Sequence, residues 1–325
     1  MYLAEYNNLF TKNVRISFDQ GFQTRLMQSA YNKLFAVADT TEIVEKFNST
    51  ESMDLPQYVS EGQTLPITKL YKGYLTTFQG KGFGHRILVT KEARLSAKDD
   101  TLVLAMLIAR EKQKALDAFD RFIETEAHKF FQNAFINTPG FTGPDGIGLI
   151  GTHVWNSTGT TWTNLLVTQA LNVDAVRQLE IAAGAFVDAN GNVMPLRPDT
   201  VIVKKGSTAS FQAKQLFGIN MGQYSPTVLG NVNIFQGGSY TMIETPFFVN
   251  DPAIPSFVAD TVYFFADSRM MANDNALFMH FLQRPRLEGE ATQLPDLTYQ
   301  YYFYGHFKAG IRALPIGWRW SVWSV

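Results

Sequence analysis

The sequence predicts an α+β fold in which helical and β-prone stretches occupy separate parts of the chain. Residues 101–136 carry an apolar stripe at helical spacing and contain no Gly or Pro. Residues 56–98 are β-prone and punctuated by Gly, and the chain from residue 277 onward is rich in strand-forming side chains. Strands and helices do not alternate at the spacing of a doubly wound βαβ fold.

The composition favours a protein that covers part of its surface with copies of itself. Of the 325 residues, 46% are hydrophobic, 14% are aromatic and only 18% are charged. Interface cores show the same loss of charge and gain of aromatic residues. The net charge of −1 lacks the basic footprint of a duplex-binding protein. Because Cys is absent, disulfides, thiolate zinc sites and thiol nucleophiles are excluded.

We expect the chain to be soluble. The N-terminus lacks the basic region leading into an apolar region that marks a signal peptide. The longest strongly apolar run, Leu102–Ala109, is far shorter than the ~20 residues that span a bilayer.

The first 98 residues are predicted to contain one helix and one long hairpin. Apolar residues between Phe22 and Phe35 recur at helical spacing, which predicts an amphipathic helix over about Phe18–Ala38. Two β-prone runs, near 71–78 and 87–89, flank the Gly-rich link 80–84. Two such runs around a short link predict a hairpin.

A single long helix is predicted over 101–136. Asp99 or Asp100 would serve as its N-cap. At 1.5 Å per residue this helix would be about 54 Å long. It would end at the helix-breaking residues Asn137, Pro139 and Gly140.

The remaining predicted elements are shorter. Residues Gly143–Gly146 have turn composition. Helices are predicted over Leu171–Phe186 and over Ser207–Phe217, the second capped by Ser207 or Thr208. The predicted strands are Thr200–Val203, Leu277–Leu282, Thr298–Leu314 and Trp318–Val325.

No motif indicates a catalytic, cofactor or metal site. The pattern Gly80-x-Gly82-x-Gly84 is not followed by the helix that a dinucleotide-binding loop requires. No two of the five His residues have the i, i+4 spacing of a metal-binding helix. Glu124 and His128 share a helix face, and we interpret them as a surface pair.

Charge is distributed unevenly along the first part of the chain. Residues 69–98 carry seven Lys or Arg and one Glu, whereas residues 1–68 and 99–136 both carry more acidic than basic residues. A basic loop between acidic segments could bind the acidic segments of a neighbouring copy, since complementary charge fixes register. A solvated loop and a nucleic-acid contact are the alternatives.

Several stretches occur in an order that matches one family. Residues 60–74 read S-E-G-Q-x-x-P-x-x-K-L-Y-K-G-Y, and the long helix is followed by Asn-Thr-Pro-Gly-Phe. Further stretches are GPDGIGLIGTHVWNSTGTTWTN, LRPDTVIVKKGSTASFQAKQLF and the Tyr-rich Thr298–Leu314. In this order they resemble the major capsid proteins of tailed phages, with the Hong Kong 97-like fold and the Mu-like type of head subunit.

The resemblance implies a division of the chain into arm, loop and two domains. The implied parts are an N-terminal arm (1–54), an extended β-hairpin loop (55–98), a peripheral domain (99–198) with spine helix 101–136, an axial domain (199–281) and peripheral return strands (282–325). The loop would lie over an adjacent subunit. Its predicted interface residues are Lys69, Lys72, Gly80, Lys81, Gly82, Phe83, Gly84 and Arg86.

The resemblance also implies partners and a location. Subunits would form pentamers and hexamers of an icosahedral shell that encloses double-stranded DNA without sequence-specific binding, with no membrane, enzyme activity or cofactor involved. The shell would belong to the virion and be assembled in the host bacterial cytoplasm with portal or other head proteins. Because no long charged helical region precedes the arm, a separate scaffolding protein is expected.

Two alternative functions remain open at this point. One is the shell of an encapsulin-like nanocompartment with the same fold, which would bind a cargo peptide on its inner surface. The other is a β-rich carbohydrate-binding protein or enzyme that uses Trp residues to stack on sugars. The candidate residues for that function are Trp155, Trp162, Trp318, Trp320 and Trp323.

Overall fold

The computed structural model describes most of the chain after residue 17. The described residues are 18–53, 55–56, 58–61, 63–64, 70–89, 101–165, 170–218, 240–254, 257–273, 276–293, 299–316 and 318–321. The helices are α1 (18–28), α2 (Tyr31–Leu34), α3 (Thr101–Gln132), α4 (Val173–Gly184), α5 (Thr208–Phe217) and α6 (Ser268–Asn273). The strands are β1 (Ala36–Asp39), β2 (Val44–Met53), β3 (Leu70–Gln79), β4 (Lys81–Val89), β5 (Thr152–Val154), β6 (Thr161–Thr163), β7 (Thr200–Lys204), β8 (Thr241–Thr245), β9 (Tyr263–Ala266), β10 (Leu277–Gln293), β11 (Tyr299–Ile311) and β12 (Trp318–Ser321).

The N-terminal helix is shorter than its periodicity predicts. Helix α1 stops at residue 28 and the single-turn helix α2 follows, with Phe22 and Leu34 both buried. From Ala36 the chain is extended and pairs in parallel with β10. The predicted helix over Phe18–Ala38 is therefore wrong in its last part. Strand pairing with a distant part of the chain replaces the final helical turn there.

The predicted long helix is present as α3. It has 32 residues, which corresponds to about 48 Å at 1.5 Å per residue. Buried side chains recur every four residues along its second half: Ala115, Phe119, Ile123 and Ala127. The helix ends at Gln132, before the predicted residue 136. Directly after its end, the Asn133 side chain donates a hydrogen bond to the Lys129 carbonyl at 2.8 Å. The predicted caps Asp99 and Asp100 lie outside the described residues.

A four-stranded sheet, here called the long sheet, packs on α3. Its order is β1-β10-β11-β4, in which β11 pairs antiparallel with both β10 and β4. One face points into the core, where the rings of Phe303 and Phe119 lie 6.4 Å apart. The predicted strand Leu277–Leu282 is confirmed and continues to Gln293, and β11 confirms most of Thr298–Leu314.

The second sheet has the order β12-β9-β7-β8 and is covered on both faces. On one face, Val203 packs in a cluster with Leu179 of α4 and Ala213 of α5. On the other face, the ring of Phe264 contacts Phe131 of α3 at 5.2 Å. The sheet is therefore a layer between the α4–α5 pair and the main core.

The local predictions around the second sheet are confirmed. Helix α4 begins after Asn172, whose side chain accepts a hydrogen bond from Ala175 N at 2.8 Å. Helix α5 begins after Ser207, whose hydroxyl accepts a hydrogen bond from Ser210 N at 3.0 Å. Strands β7 and β8 are parallel and are connected through α5, so the described part of this α+β chain includes a βαβ crossover.

Candidate assembly surfaces

The two strands of the predicted hairpin do not pair with each other. Strand β3 pairs with β2 in a two-stranded antiparallel ribbon, whereas β4 pairs with β11 at the edge of the long sheet. Only Gly80 separates β3 from β4, so the chain changes sheets at that residue. The predicted hairpin with a Gly80–Gly84 tip is wrong. The hairpin that forms, here called the ribbon, consists of β2 and β3, and residues 54–69 connect its strands.

The base of the ribbon packs on the long sheet of its own chain. The rings of Phe47 and Phe78 both contact Phe278, with centroids 4.8 and 4.7 Å away. Gly310 permits this contact, because a Cβ at that position would overlap the Phe78 ring. The part of the ribbon nearest the body is therefore anchored within the subunit.

An ion cluster strengthens the same junction. The Glu45 carboxylate lies 2.8 Å from His280 Nδ1 and 3.1 Å from Lys308 Nζ. Lys308 also donates a hydrogen bond to the Glu42 carbonyl at 2.5 Å. Partial burial acts to raise the pKa of Glu45, but hydrogen bonds from Thr40, His280 and Lys308 outweigh burial and lower that pKa. Glu45 is therefore a charged anchor at neutral pH.

Glycines in and just before β4 leave room on the outer face of the long sheet for side chains of β11. In the pairing with β11, Gly82 lies opposite His306 and Gly84 lies opposite Tyr304. A Cβ on Gly80 would overlap the His306 ring, and a Cβ on Gly82 would overlap the Tyr304 hydroxyl. The two rings occupy space that alternate glycines leave empty, as expected where a strand must admit a close neighbour.

The outer face beside these glycines is open and partly aromatic. Tyr302 and Tyr304 are each 39% exposed, and the exposed Arg86 donates a hydrogen bond to the Gln300 side chain at 3.4 Å. We call this region, made of Gly82, Gly84, Arg86, Tyr302 and Tyr304, the glycine–tyrosine face. Surfaces with exposed Tyr and Arg have the residue types that interfaces favour.

The predicted basic interface residues are divided between two structural units. Lys72 is exposed on the ribbon, whereas Lys81 and Arg86 are exposed on β4 of the long sheet. Lys69 lies outside the described residues. The basic residues therefore do not belong to one loop, although all of those described face solvent.

Phe83 differs from the other predicted interface residues. It is on the core side of β4, where its ring contacts Phe119 at 5.6 Å, Phe122 at 5.2 Å and Phe307 at 5.2 Å. Its packing is therefore accounted for within its own chain.

Tyr302 and Tyr304 of the glycine–tyrosine face were not among the interface residues predicted from the sequence. The available signal was the alternation of Tyr302, Phe303 and Tyr304, which places the two Tyr residues on one face of a strand and Phe303 on the other. That pattern does not tell which face is open. The glycines of β4 could be recognised as their complement only once β4 and β11 were known to pair.

The predicted surface pair on the long helix is buried. The Glu124 carboxylate accepts hydrogen bonds from Ala30 N at 2.6 Å and Tyr31 N at 3.2 Å. His128 Nδ1 lies 2.6 Å from the Glu124 carbonyl, and Nε2 lies 2.8 Å from the Thr245 hydroxyl. The interpretation as a surface pair is wrong. The two residues connect α3 to the N-terminal segment and to the second sheet.

Among the described residues, no group of three His, Asp or Glu residues is placed to hold a metal ion. No helix in the described part of the chain is long and apolar enough to cross a bilayer.

Trp155, a candidate for sugar stacking, is only 2% exposed and packs with Trp162 and Phe186 in a core cluster. Trp323 lies outside the described residues.

Comparisons with known proteins agree with this architecture at the level of fold. No family model matches the chain, and no curated protein matches its sequence. The structure is similar to "Capsid of empty GTA particle computed with C5 symmetry", with a TM-score of 0.52, 11% identity and coverage of 91% of this chain and 90% of that chain. It is also similar to the capsid structure of the cyanophage P-SCSP1u, with a TM-score of 0.54, 10% identity and coverage of 91% and 88%.

Both likenesses extend over about nine-tenths of the two chains compared. Identities of 10 and 11% establish a shared fold, and the Mu-like subtype stays a prediction. The chain has the Hong Kong 97-like capsid fold that its sequence pattern resembles.

Proposed function

We propose that this chain is the major capsid protein of a tailed phage and that it assembles into an icosahedral shell enclosing the phage DNA. The observation that carries the proposal is the fold likeness to two capsid structures over nine-tenths of the chain. The buried junctions also favour it, because they hold a body together without forming a reaction site. The protein would act through interfaces rather than catalysis.

The ribbon supplies the first proposed contact between subunits. Its base is anchored by Phe47 and Glu45, while most of the described residues between Met53 and β3 are exposed, with Leu55 at 64% and Tyr58 fully exposed. Exposed apolar and aromatic side chains on a projecting segment are typical of interaction sites. We propose that the residues connecting β2 and β3 contact an adjacent subunit.

The glycine–tyrosine face supplies the second proposed contact. It continues the outer face of the long sheet, which the chain's own ribbon covers around Phe278, His280, Lys308 and Gly310. The open part, at Tyr302 and Tyr304, would accept a segment of a neighbouring subunit. The predicted interface residues Gly82, Gly84 and Arg86 keep their proposed role on this basis.

The proposed division into parts follows the architecture with three adjustments. The axial domain, expected over 199–281, would end before Leu277, because β10 belongs to the long sheet. It would gain β12, which pairs with β9 of the second sheet, and residues 99–198 with the rest of 277–325 would form the peripheral domain braced by α3. The extended loop would begin at Val44 rather than at residue 55, because β2 is one of its two strands. The N-terminal arm would then consist of the residues before Val44.

The proposed partners follow from a closed shell. Copies of this chain would form pentamers and hexamers, with a separate scaffolding protein during assembly and a portal or other head proteins in the finished particle. The near-neutral chain would enclose double-stranded DNA without a sequence-specific contact. The shell would be part of the virion and would assemble in the bacterial cytoplasm.

Expression of the chain with and without a co-expressed scaffolding protein tests the proposal. Negative-stain microscopy and analytical ultracentrifugation are expected to show closed particles tens of nanometres across. A species that stays monomeric or dimeric under all conditions would overturn the shell. Particles that co-purify with a specific enzyme cargo instead of nucleic acid would favour the nanocompartment.

A further inference from the structure

A bulge interrupts the ribbon halfway between its base and its tip. The register of β2 against β3 shifts between Asn48 and Thr50 and again between Thr50 and Ser52. At the bulge, the Ser49 hydroxyl accepts a hydrogen bond from Tyr74 N at 2.9 Å and donates one to the Tyr74 carbonyl at 3.3 Å. A bulge bends its strand and re-aims the neighbouring side chains.

Gly73 allows the two strands to come close at this bulge. A Cβ at Gly73 would overlap the Ser49 hydroxyl and lie 2.9 Å from the Ser49 carbonyl. It would also lie 3.1 Å from Cγ of Glu51. Since real Cβ atoms do not approach other atoms so closely, this position requires Gly. The bulge is therefore a defined bend rather than an irregular stretch.

The bend directs the Glu51 carboxylate at the turn between β5 and β6. Oε1 accepts a hydrogen bond from Asn156 N at 2.7 Å, and Oε2 accepts one from Ser157 N at 2.8 Å. Glu51 is only 9% exposed. Hydrogen bonds to a carboxylate are shorter and stronger than bonds between neutral groups, so this contact is the strongest polar link at this point of the ribbon.

Two neutral hydrogen bonds join the same surfaces. The Asn156 side chain donates to the Gly73 carbonyl at 3.1 Å, and the Tyr74 hydroxyl donates to the Val154 carbonyl at 3.1 Å. The turn thus contacts both strands of the ribbon. Beyond this contact, the described residues Leu55 and Tyr58 are exposed.

We infer that Glu51 is a positioning residue that locks the ribbon to the β5–β6 turn and thereby fixes the direction in which β2 and β3 run beyond this contact. A ribbon held only at its base by Phe47 and Phe78 could pivot, because a two-stranded hairpin has little stability of its own. The second attachment at Glu51 removes that freedom. The consequence for shells rests on the proposed function, but the lock is a property of the single chain.

A distance measurement in the unassembled subunit tests the lock. The chain contains no Cys, so Tyr58→Cys and Arg177→Cys give two spin-label sites, one at the ribbon tip and one on an exposed position of α4. The pair should give one narrow distance distribution. Glu51→Ala should broaden or shift it, and Glu51→Gln, which keeps one acceptor oxygen, should have a smaller effect.

Glu42→Gln is the matched control, because it removes one acidic charge from an exposed residue near the ribbon base. It should leave the distance distribution unchanged. Hydrogen exchange of the peptide covering residues 152–160 gives a second readout. In Glu51→Ala the amides of Asn156 and Ser157 should exchange faster by on the order of 10- to 100-fold, the size expected for loss of a hydrogen bond to a charged group.

The outcomes distinguish a failure of the Glu51 lock from a failure of the proposed shell function. A narrow, unshifted distance in Glu51→Ala, with unchanged exchange at Asn156 and Ser157, would overturn the lock. If Glu51→Ala does not fold, the same outcomes are read from Glu51→Gln. A released ribbon that still gives particles of wild-type diameter would overturn the positioning role in assembly. Failure of the wild-type chain to form any particle would contradict the proposed function, while the distance and exchange results would still decide the lock.

Discussion

His128 on the long helix and Thr245 at the end of β8 are joined by a hydrogen bond of 2.8 Å between Nε2 and Oγ1. The Thr245 hydroxyl also accepts a hydrogen bond from Phe247 N at 3.2 Å, so its own proton is free for His128. Burial lowers the pKa of His128 to about 4, although the Glu124 carbonyl acts in the opposite direction. His128 is therefore neutral at pH 7, with Nδ1 donating to Glu124 and Nε2 accepting from Thr245.

This arrangement predicts a specific cost for Thr245→Val. The change keeps the shape of the side chain but removes both hydrogen bonds and leaves the buried Nε2 of His128 without its donor. A buried polar group left unsatisfied costs about 1–3 kcal/mol. Urea unfolding should show a loss of that size, and Thr245→Ser, which keeps the hydroxyl, should retain most of the stability. Equal stability of the Val and Ser variants would contradict the assigned hydrogen bond.

The raised pKa of Glu124 predicts that the free energy of unfolding decreases as the pH rises. Burial raises its pKa to about 7, despite hydrogen bonds from Ala30 and Tyr31 and with a further increase from Asp120. The unfolded chain loses this proton near pH 4.5, whereas the folded chain keeps it to about pH 7. The free energy of unfolding should therefore fall between pH 4.5 and 7, by about 3 kcal/mol at most.

Glu124→Gln isolates this effect, because Gln resembles the protonated acid and cannot ionise. Its free energy of unfolding, measured at several pH values, should be close to that of the wild type at pH 4.5 and higher at pH 8. Protonation of His128 lowers the stability as the pH falls from 6.5 towards 4, and its Nδ1 lies 3.4 Å from the Glu124 carboxylate. The difference between the two proteins above pH 6.5 therefore reports Glu124 with the least contribution from His128. A constant difference across this range would argue against the raised pKa.

The sequence predicted most accurately those elements whose signals are local. Helices α4 and α5 begin at Asn172 and Ser207, side chains that cap their own helices. The stripe of α3 is visible because no Gly or Pro interrupts it. These signals depend only on neighbours within a few residues, so they survive without knowledge of the fold.

The errors occur where the partner is distant in sequence. Strands β3 and β4 look like the arms of a hairpin because a Gly-rich stretch lies between their most β-prone parts, yet each pairs with another strand. Gly82 and Gly84 favour a hairpin link in the sequence because a residue without a side chain shows no periodicity. Glu124 has the sequence pattern of a surface residue because its backbone partners, Ala30 and Tyr31, belong to another segment.

Gly82→Ala tests the glycine–tyrosine face. The added methyl group would overlap the Tyr304 hydroxyl, so the ring must move off β4. Overpacking costs about 1–3 kcal/mol in a well-packed core, and because Tyr304 is 39% exposed, the loss should lie at the lower end of that range. Combining Gly82→Ala with Tyr304→Ala should recover most of that loss, since contacting residues are not additive. Additive losses in thermal unfolding would show that the ring does not occupy the space above Gly82.

Reversal of exposed basic charges tests the electrostatic part of assembly. Lys72→Glu and Arg86→Glu change charges on the ribbon and on β4, and both should slow assembly most at low salt. The effect should weaken above 0.1 M salt, where the Debye length is about 10 Å. Light scattering at several salt concentrations measures the rate, and Arg177→Glu on α4, 66% exposed, is the control. Equal slowing at all salt concentrations would contradict charge complementarity.

Deletion of the ribbon tip separates folding from assembly. Replacing residues 55–68 by a short Gly-Ser link leaves the described pair Met53–Leu70 and the anchors at Phe47 and Glu51 in place. The subunit should keep its circular dichroism spectrum and its melting temperature to within a few degrees, because a surface loop contributes little to stability. It should nevertheless form no particles.

Deletion of Leu70–Ile87 should have a different result. It removes β3 and most of β4, together with the Phe83 ring that packs on Phe119 and Phe122. Loss of an aromatic core residue alone costs about 3–5 kcal/mol, so this variant should not fold. A folded but assembly-incompetent product would mean that β4 is dispensable to the long sheet. Normal particles from the tip-deleted variant would show that neighbouring subunits meet through other surfaces.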